Sequence, residues 1–366
     1  MPKYEPSHLK NMNTKIVFRE FQRKSNENLF VNEIAKTRNI SVPTVMKIVD
    51  FLMEKELIKE GECTWTGVGR KPNMLRLNRD KYFSVGVIYE GEYLTLGIVD
   101  LAGEVQNFIQ VKCGQEFEES LFQNVDRLLK MSGRKAEELV GIGIGMPCIF
   151  EQEERKITAP LIGINEAQYF GDVIDRIADT YKAKVVVDND LNVQAFGEYE
   201  SIRPGKKEDL IFISLGTGLG AGVVIDGKAR RGNHNICGEI GYMMFEYSDE
   251  KPKSGWLEEK INLKALRKLF GTSGEGIEKK EEAIEYVSRY LALLINNLIF
   301  CYDVSKIVLD GHVIETLGDD LLREVQNKLN KICYKPLQIQ KKTEALPGIS
   351  GGALLASNAW LEELFK

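Results

Sequence analysis

The sequence predicts an α/β protein with a small helical head at the N-terminus and a body of two similar halves. Three observations support this prediction. Apolar residues recur at helical spacing over the first 54 positions, each half of the body opens with strands joined by tight turns, and helices alternate with strands after them. With 366 residues, 43% of them hydrophobic, the chain can form two or three domains. We expect these domains at residues 1–80, at 81–190 together with 347–366, and at 191–346.

Composition excludes several classes of protein. Charged residues of both signs make up 28% of the chain, which excludes a disordered chain as the main body. No apolar run approaches the roughly 18 residues that a membrane span needs, and the first residues lack the apolar core of a signal peptide. We therefore expect a cytoplasmic protein without a membrane partner. The six cysteines lie far apart, which argues against a local zinc site and against a disulfide scaffold.

The charge is distributed unevenly along the chain. Residues 1–80 contain 15 Lys and Arg against 10 Asp and Glu, whereas the whole chain contains 49 against 54. The head therefore carries a net charge of +5, and residues 81–366 carry −10. A basic head on an acidic body indicates a polyanionic partner for the head alone.

The first residues fit a helix-turn-helix. Helices are predicted at residues 13–24, at about 29–35, and from Ser41 to about Glu54. Ser41 is well placed as the N-cap of the third helix, and Pro43 is tolerated in its first turn. The buried stripe of this helix is predicted to consist of Val45, Ile48, Val49 and Leu52. A short helix, a tight turn and a capped helix are typical of this DNA-binding motif.

A hairpin with a basic tip follows the third helix. Residues 57–60 and 74–77 read as paired strands, and the glycine-rich tip between them carries Arg70 and Lys71. Such a tip suits a DNA-binding wing, because glycines let the backbone approach the duplex and cations neutralise phosphates. In this winged helix-turn-helix, Ser41, Thr44 and Lys47 face the major groove, while Arg70 and Lys71 contact phosphates or the minor groove. The alternative is a three-helix interaction module with a charged, solvated face.

The body begins with three strands, at residues 83–89, 93–99 and 105–111. A helix at 117–131, a glycine-containing strand at 140–147, a helix at 170–181 and a strand at 184–187 follow. Three antiparallel strands followed by alternating helices and strands are the plan of the actin, hexokinase and RNase H fold. The second half repeats it with a strand at 209–215, a glycine loop at 216–222 and a partner strand at 223–225.

The glycine loop distinguishes between two kinds of phosphate site. A dinucleotide-binding loop leads into a helix, whereas this loop leads into another strand, so a Rossmann fold is excluded. A glycine turn within a hairpin instead suits the phosphate-cradling turn of sugar kinases, with Gly216, Thr217 and Gly218 as its centre. The alternative is a tight hairpin without a ligand.

Three motifs in this order resemble the ROK family of repressors, open reading frames and sugar kinases: residues 187–198, the glycine loop, and residues 237–243. The N-terminal unit resembles the winged helix of the repressor branch. The resemblance implies an N-terminal winged helix-turn-helix followed by a two-lobed actin/hexokinase-like (RNase H-like) ROK domain. It also implies a homodimer or a dimer of dimers.

The resemblance implies a sugar site at Asn189, Asp190, Glu239 and Glu258, the last of which ends a further family motif at residues 255–258. Asn189 and Asp190 contact sugar hydroxyls, and Asp190 matches the general base of the kinases. Glu239 and Glu258 match two carboxylates that hold the sugar. Converging carboxylates and an amide suit a polyol and repel a phosphate.

Three departures from the family pattern indicate the regulatory branch. Tyr242 replaces the zinc-binding His and Trp256 stands where a Cys is expected, so we expect no metal and a loop held by aromatic packing. Tyr242 can still reach the sugar through its hydroxyl. The first phosphate turn of the kinases is replaced at residues 88–92, where Glu90 and Glu92 oppose a triphosphate. The adenosine turn is altered at residues 309–312.

These observations predict a sugar-responsive transcriptional regulator, a repressor, whose partners are operator DNA and a sugar or sugar-derivative effector. No nucleotide cofactor and no enzymatic activity are expected, and the glycine loop is a degenerate phosphate loop. One alternative is an ATP-dependent sugar kinase with Asp190 as general base. Another is a constitutive DNA-binding protein whose sugar site is vestigial.

Overall fold

The chain forms two compact units. The computed structural model describes residues 6–61, 74–113, 117–159, 164–202, 208–249, 252–274 and 276–366. The first unit contains Met1–Ile144, Phe170–Val187 and Gly352–Lys366, and the second contains Gly145–Tyr169 and Asp188–Gly351. This division differs from the three predicted domains, because residues 1–80 share a unit with the strands that follow them and residues 145–169 join the second unit.

The head contains the predicted helices and strand pair. Its elements are α1 (Pro6–Arg23), α2 (Val31–Arg38), α3 (Val42–Glu54), β1 (Ile58–Glu60) and β2 (Leu75–Leu77). The first helix begins at Pro6 rather than near residue 13, and β1 pairs antiparallel with β2. Ser41 is the N-cap of α3, as predicted, and its side chain accepts a hydrogen bond from the Thr44 N–H. Arg70 and Lys71 of the predicted wing lie outside the described residues.

The first half of the body is built on a five-stranded sheet. Its elements are β3 (Phe83–Tyr89), β4 (Tyr93–Asp100), β5 (Val105–Lys112), α4 (Phe117–Ser132), β6 (Leu139–Met146), β7 (Ile149–Glu151), β8 (Lys156–Ala159), β9 (Ile164–Tyr169), α5 (Gly171–Tyr181), β10 (Lys184–Asn189) and α6 (Asp190–Ser201). The strand order is β10-β6-β3-β4-β5, with the predicted antiparallel meander at one side. Strands β7 to β9 form a separate antiparallel sheet that the sequence analysis did not predict.

The second half repeats the plan. Its elements are β11 (Leu210–Leu215), β12 (Leu219–Ile225), β13 (Lys228–Ala229), α7 (Glu258–Ile261), α8 (Leu263–Phe270), β14 (Thr272–Ser273), β15 (Gly276–Ile277), α9 (Lys280–Tyr302), β16 (Lys306–Asp310), α10 (His312–Leu317), α11 (Asp319–Ile332), β17 (Gln338–Lys341) and α12 (Pro347–Leu364). Its sheet has the order β13-β12-β11-β16-β17. The glycine loop joins β11 to the antiparallel strand β12, which confirms the exclusion of a Rossmann loop. The predicted α/β fold is confirmed.

Among the described residues, one helix is long and apolar enough by composition to cross a membrane, and it is α9. One side of α9 packs into the core beside the second sheet. The α9 residues in this core include Val287, Leu291, Leu294, Ile295 and Leu298. The apolar residues on this side of α9 therefore belong to the core of the second unit.

Close backbone packing surrounds α12. In the first unit, a side chain at Gly143 of β6 would collide with the backbone of Gly352. In the second unit, Gly351 lies against the carbonyl of Val193 and the N–H of Gly197, both on α6. Only glycine permits approaches this close, because any Cβ would need the same space.

A buried carboxylate fixes the segment that leads into α12. Glu198 of α6 is fully buried and accepts hydrogen bonds from the Thr343 N–H at 2.8 Å, from the Thr343 hydroxyl at 2.7 Å and from the Glu344 N–H at 3.0 Å. These bonds compensate the cost of burying the carboxylate and tie the last turns of α6 to residues 343–344.

The core of the head includes residues from the C-terminal part of the chain. The Phe365 ring contacts the Phe18 ring, with centroids 5.8 Å apart, and the Phe51 ring, with centroids 6.2 Å apart. Leu361 joins the same apolar cluster. The head therefore does not complete its core from its own residues.

We predict that Phe365→Ala lowers the free energy of unfolding of the head by about 3 kcal/mol, because it leaves a cavity between α1 and α3. Hydrogen exchange of the α1 and α3 amides, recorded at increasing urea concentrations, measures this change. The control is Phe300→Ala, since Phe300 is 69% exposed and its loss changes stability by less than about 0.5 kcal/mol. Equal stability of the two variants would contradict the shared core.

Candidate functional site

The candidate site begins where β10 ends and α6 starts. The Asn189 Oδ1 caps α6 by accepting from the N–H groups of Leu191 at 2.9 Å and Asn192 at 3.3 Å. The Asn189 Nδ2 donates to the Cys148 carbonyl at 3.1 Å. The amide that the sequence assigns to sugar hydroxyls is thus largely engaged within the protein, and Asn189 serves to place Asp190 at the first position of the helix.

Asp188 is the buried centre of this turn, although no local pattern in the sequence distinguishes it from its neighbours. Its carboxylate accepts from the Arg231 Nε at 2.9 Å, from the Asn192 Nδ2 at 3.0 Å and from the Asn189 N–H at 2.8 Å. The Arg231 Nη2 also bonds to it. Asp188 lies within the motif at 187–198, but Arg231 comes from a distant loop and carries no local signal.

Cys148 lies beside the same carboxylates. Burial raises the pKa of its thiol, and the negative charges of Asp190 and Asp188 raise it further. The thiol therefore stays protonated and unreactive at neutral pH. The Asp190 carboxylate, which is half-buried, therefore lies close enough to the buried Cys148 thiol to affect its protonation.

Glu258 is the first residue of α7 and reaches the glycine turn. Its Oε2 accepts a hydrogen bond from the Leu219 N–H at 2.9 Å. The same oxygen would lie 3.2 Å from a Cβ placed on Gly218. The turn is closed by its own bond from the Gly216 N–H to the Gly218 carbonyl at 2.9 Å. The Glu258 carboxylate thus occupies the Leu219 N–H of the predicted phosphate-binding loop and places a negative charge beside the loop. The Thr217 side chain is exposed.

Glu239 lies near Glu258 in the same unit. Partial desolvation of its carboxyl group raises the pKa of Glu239, and repulsion by the Glu258 carboxylate raises it further. The residue keeps an exposed face on one side. Two neighbouring carboxylates with access to solvent can accept hydrogen bonds from the hydroxyl groups of a ligand.

Backbone contacts bring these segments together. The Leu191 side chain lies against Gly220, and the Ala221 N–H donates to the Gly238 carbonyl at 2.8 Å. The start of α6, the start of β12 and the segment that carries Glu239 are therefore contiguous. Among the described residues, no cluster of His, Cys, Asp and Glu could hold a metal ion.

Aromatic packing holds the loop before α7, as the sequence predicts. The Trp256 ring centroid lies 6.0 Å from that of Phe245 and 6.2 Å from that of Tyr290, and the Lys260 ammonium lies 4.5 Å from the centre of the Trp256 ring. Tyr242 is 55% exposed, and its backbone lies against Gly255. The Tyr242 ring is thus available to a ligand at the surface of this site.

The two turns that differ from the kinase pattern also have defined surroundings. Glu90 and Glu92 are exposed in the turn between β3 and β4, and Lys112 pairs with Glu92 at 2.7 Å. His312 is exposed at the start of α10, next to Gly311, whose positive φ of 104° is unfavourable for other residues.

The DNA-binding residues predicted on α3 divide into two groups. Ser41 and Lys47 are exposed, whereas Thr44 is half-buried. The hydroxyl groups of Ser41 and Thr44 hydrogen-bond to each other at 2.7 Å, so both take part in the cap. Of the three DNA contacts predicted on α3, Lys47 is therefore the one whose long side chain faces solvent.

Comparison with known proteins identifies a family. A sequence profile of the ROK family matches residues 84–360. The chain is 28% identical to the xylose repressor of Caldicellulosiruptor bescii over 278 residues, which cover 70% of this chain and 68% of that protein.

Two solved structures share the fold. The crystal structure of a ROK family transcriptional regulator, a homolog of the Escherichia coli MLC protein, has a TM-score of 0.78 at 19% identity and covers 98% of both chains. A ROK family glucokinase from Streptomyces griseus, in complex with glucose and AMPPNP, has a TM-score of 0.58 at 22% identity. It covers 75% of this chain and 99% of its own.

We predict that Trp256→Ala lowers the free energy of unfolding of the second unit by about 3 kcal/mol, because the ring packs between Phe245 and Tyr290. Urea unfolding followed by circular dichroism measures the loss. Tyr247→Ala is the control, since Tyr247 is 89% exposed. We also expect EDTA to leave the parent curve unchanged. A large shift with EDTA would show that a metal, rather than the rings, holds the loop.

Proposed function

The chain belongs to the ROK family, and from this premise we propose that it is a sugar-responsive transcriptional regulator, acting as a repressor. It binds operator DNA through the head and a sugar or sugar derivative in the second unit. The full-length match to a ROK transcriptional regulator supports the first part, and the similarity to a xylose repressor supports both.

One observation carries the proposal: a single chain joins the capped helix α3, which exposes Ser41 and Lys47, to a cluster of carboxylates in the second unit. The head has a net positive charge that suits the phosphates of DNA, and α3 exposes Lys47 at its outer face.

The charge of the site favours a neutral sugar over a sugar phosphate. Asp190, Glu239 and Glu258 contribute three carboxylates, and the nearby Arg231 guanidinium is paired with Asp188. Carboxylates accept hydrogen bonds from sugar hydroxyls, whereas they repel a phosphate. The name of the Caldicellulosiruptor bescii relative makes xylose the first effector to test.

The second candidate is an ATP-dependent sugar kinase in which Asp190 is the general base. The glycine hairpin and the position of Asp190 at the start of α6 favour it. The Glu258 carboxylate on the glycine turn opposes it, because a phosphate would meet a fixed negative charge there. The exposed Glu90 carboxylate opposes it at the first turn, where Glu92 is paired with Lys112. These charges support a regulator without a nucleotide cofactor.

The effector regulates DNA binding by preferring one of two arrangements of the protein. A ligand shifts such an equilibrium only through its differential affinity for the two states. A homodimer or a dimer of dimers would present two heads to the half-sites of an operator in the cytoplasm.

Two assays separate the candidate functions. Calorimetric titration should give heat with a neutral sugar, beginning with xylose, and at least tenfold weaker binding of its phosphate ester. A coupled assay of ATP consumption with the same sugars should show no turnover. Turnover that Asp190→Ala abolishes would establish the kinase. DNA binding without heat from any sugar would establish a constitutive DNA-binding protein.

We predict that the affinity for the effector decreases as the pH is lowered. The decrease should begin at a higher pH than it would for a glutamate with an ordinary pKa. The ionised Glu239 accepts hydroxyl hydrogen bonds, and its raised pKa means that it becomes protonated earlier as the pH falls. Affinity is therefore full above the raised pKa and decreases below it. Calorimetry between about pH 5 and 7.5 measures the profile. Glu239→Gln should weaken binding and flatten the profile, and an unchanged profile would exclude Glu239 from the site.

For the head, we predict that Lys47→Ala weakens binding to a selected operator more than to unrelated DNA, because Lys47 faces the bases. Arg70→Ala should weaken binding about equally on all sequences and lower the salt dependence by about one counterion. Fluorescence anisotropy at several salt concentrations measures both. The control is Lys335→Ala, an exposed lysine of the second unit. If Lys47→Ala and Arg70→Ala both bind like the control, the DNA-binding face is misassigned.

A further inference from the structure

The outer face of α3 exposes two apolar side chains one helical turn apart. Val42 is 39% exposed and Met46 is 52% exposed, whereas the apolar residues on the other face are buried in the head. Residues spaced by four positions lie on the same side of a helix. Val42 and Met46 therefore form a small apolar pair at the N-terminal half of the helix.

The polar groups of this first turn are used within the helix cap. The Ser41 hydroxyl accepts from the Thr44 N–H and bonds to the Thr44 hydroxyl at 2.7 Å. Pro43, which is exposed between them, has no N–H to donate. The first turn of α3 thus presents few hydrogen-bond donors and acceptors for the edges of bases, but it presents apolar surface.

We propose that Val42 and Met46 read the C5-methyl groups of thymines in the major groove. Thymine is the base that presents a methyl group there, and apolar side chains are its usual partners. This inference rests on the proposed DNA-binding function of the head. The positive charge of the head supports DNA as the occupant of this face, since Lys47 follows Met46 directly and is exposed.

The distance between the Val42 and Met46 side chains determines how far apart the two contacted thymine methyl groups lie in the DNA. Side chains four positions apart have Cβ atoms about 5–6 Å apart. Successive bases of one strand rise by about 3.4 Å. Each half-site should therefore carry two methyl-bearing positions that lie one or two base-pair steps apart.

The test removes single methyl groups from the DNA. A duplex is selected from a random library with the parent protein, and each thymine is then replaced in turn by deoxyuridine, which lacks only the methyl group. We expect replacement at one or two positions per half-site to weaken binding about fourfold each, which is the loss of one buried methyl group. Fluorescence anisotropy measures the affinities.

Protein variants assign each methyl group to a side chain. Met46→Ala should bind thymine and deoxyuridine equally at one position, and Val42→Ala should do so at the other, because the partner of the methyl group is gone. Both residues are on the outer face, so the head keeps its core. Lys47→Ala is the matched control: it weakens binding but keeps the full sensitivity to deoxyuridine.

The outcomes separate this inference from the function on which it rests. Failure of the parent to select or bind any duplex would refute the DNA-binding function itself. Sequence-specific binding with no sensitivity to deoxyuridine would overturn the inference alone. Sensitivity that persists in both Val42→Ala and Met46→Ala would also overturn it, and the apolar pair would then belong to a contact with another protein.

Discussion

The candidate site depends on the compensation of one buried charge. Removing the Asp188 carboxylate from water costs several kcal/mol unless other groups satisfy it. Arg231, the Asn192 amide and the Asn189 N–H do so together. Because these donors come from a loop, a helix and a strand end, satisfying the charge fixes where α6 begins. The position of Asp190 follows from it.

A second electrostatic feature determines what the site can accept. In the second unit the glycine turn and the neighbouring carboxylates are connected, because Glu258 accepts a hydrogen bond from the Leu219 N–H at the end of the turn. A group that enters beside Gly218 meets a fixed negative charge rather than a row of open donors. The same backbone geometry that cradles phosphate in other proteins here holds the Glu258 carboxylate through the Leu219 N–H.

Local patterns in the sequence predicted much of the fold. The Ser41 cap, the buried stripe of α3 and the strand after the glycine loop depend on neighbours within a few positions, and the structure shows all three. Partners that meet only through folding left no such signal. Arg231 has no local reason to pair with Asp188, and nothing near Glu198 in sequence indicates its bonds to residues 343–344. Asn189 caps α6, so the amide that the family motif gives to a ligand is already partly used within the protein.

The shared core of the head has a consequence for synthesis of the protein in the cell. A ribosome makes the chain from the N-terminus, and domains usually fold as they emerge. Here α1 and α3 emerge early, but Phe365, which packs against both, emerges among the last residues of this sequence. The head therefore remains incompletely packed on nascent chains and on prematurely terminated fragments.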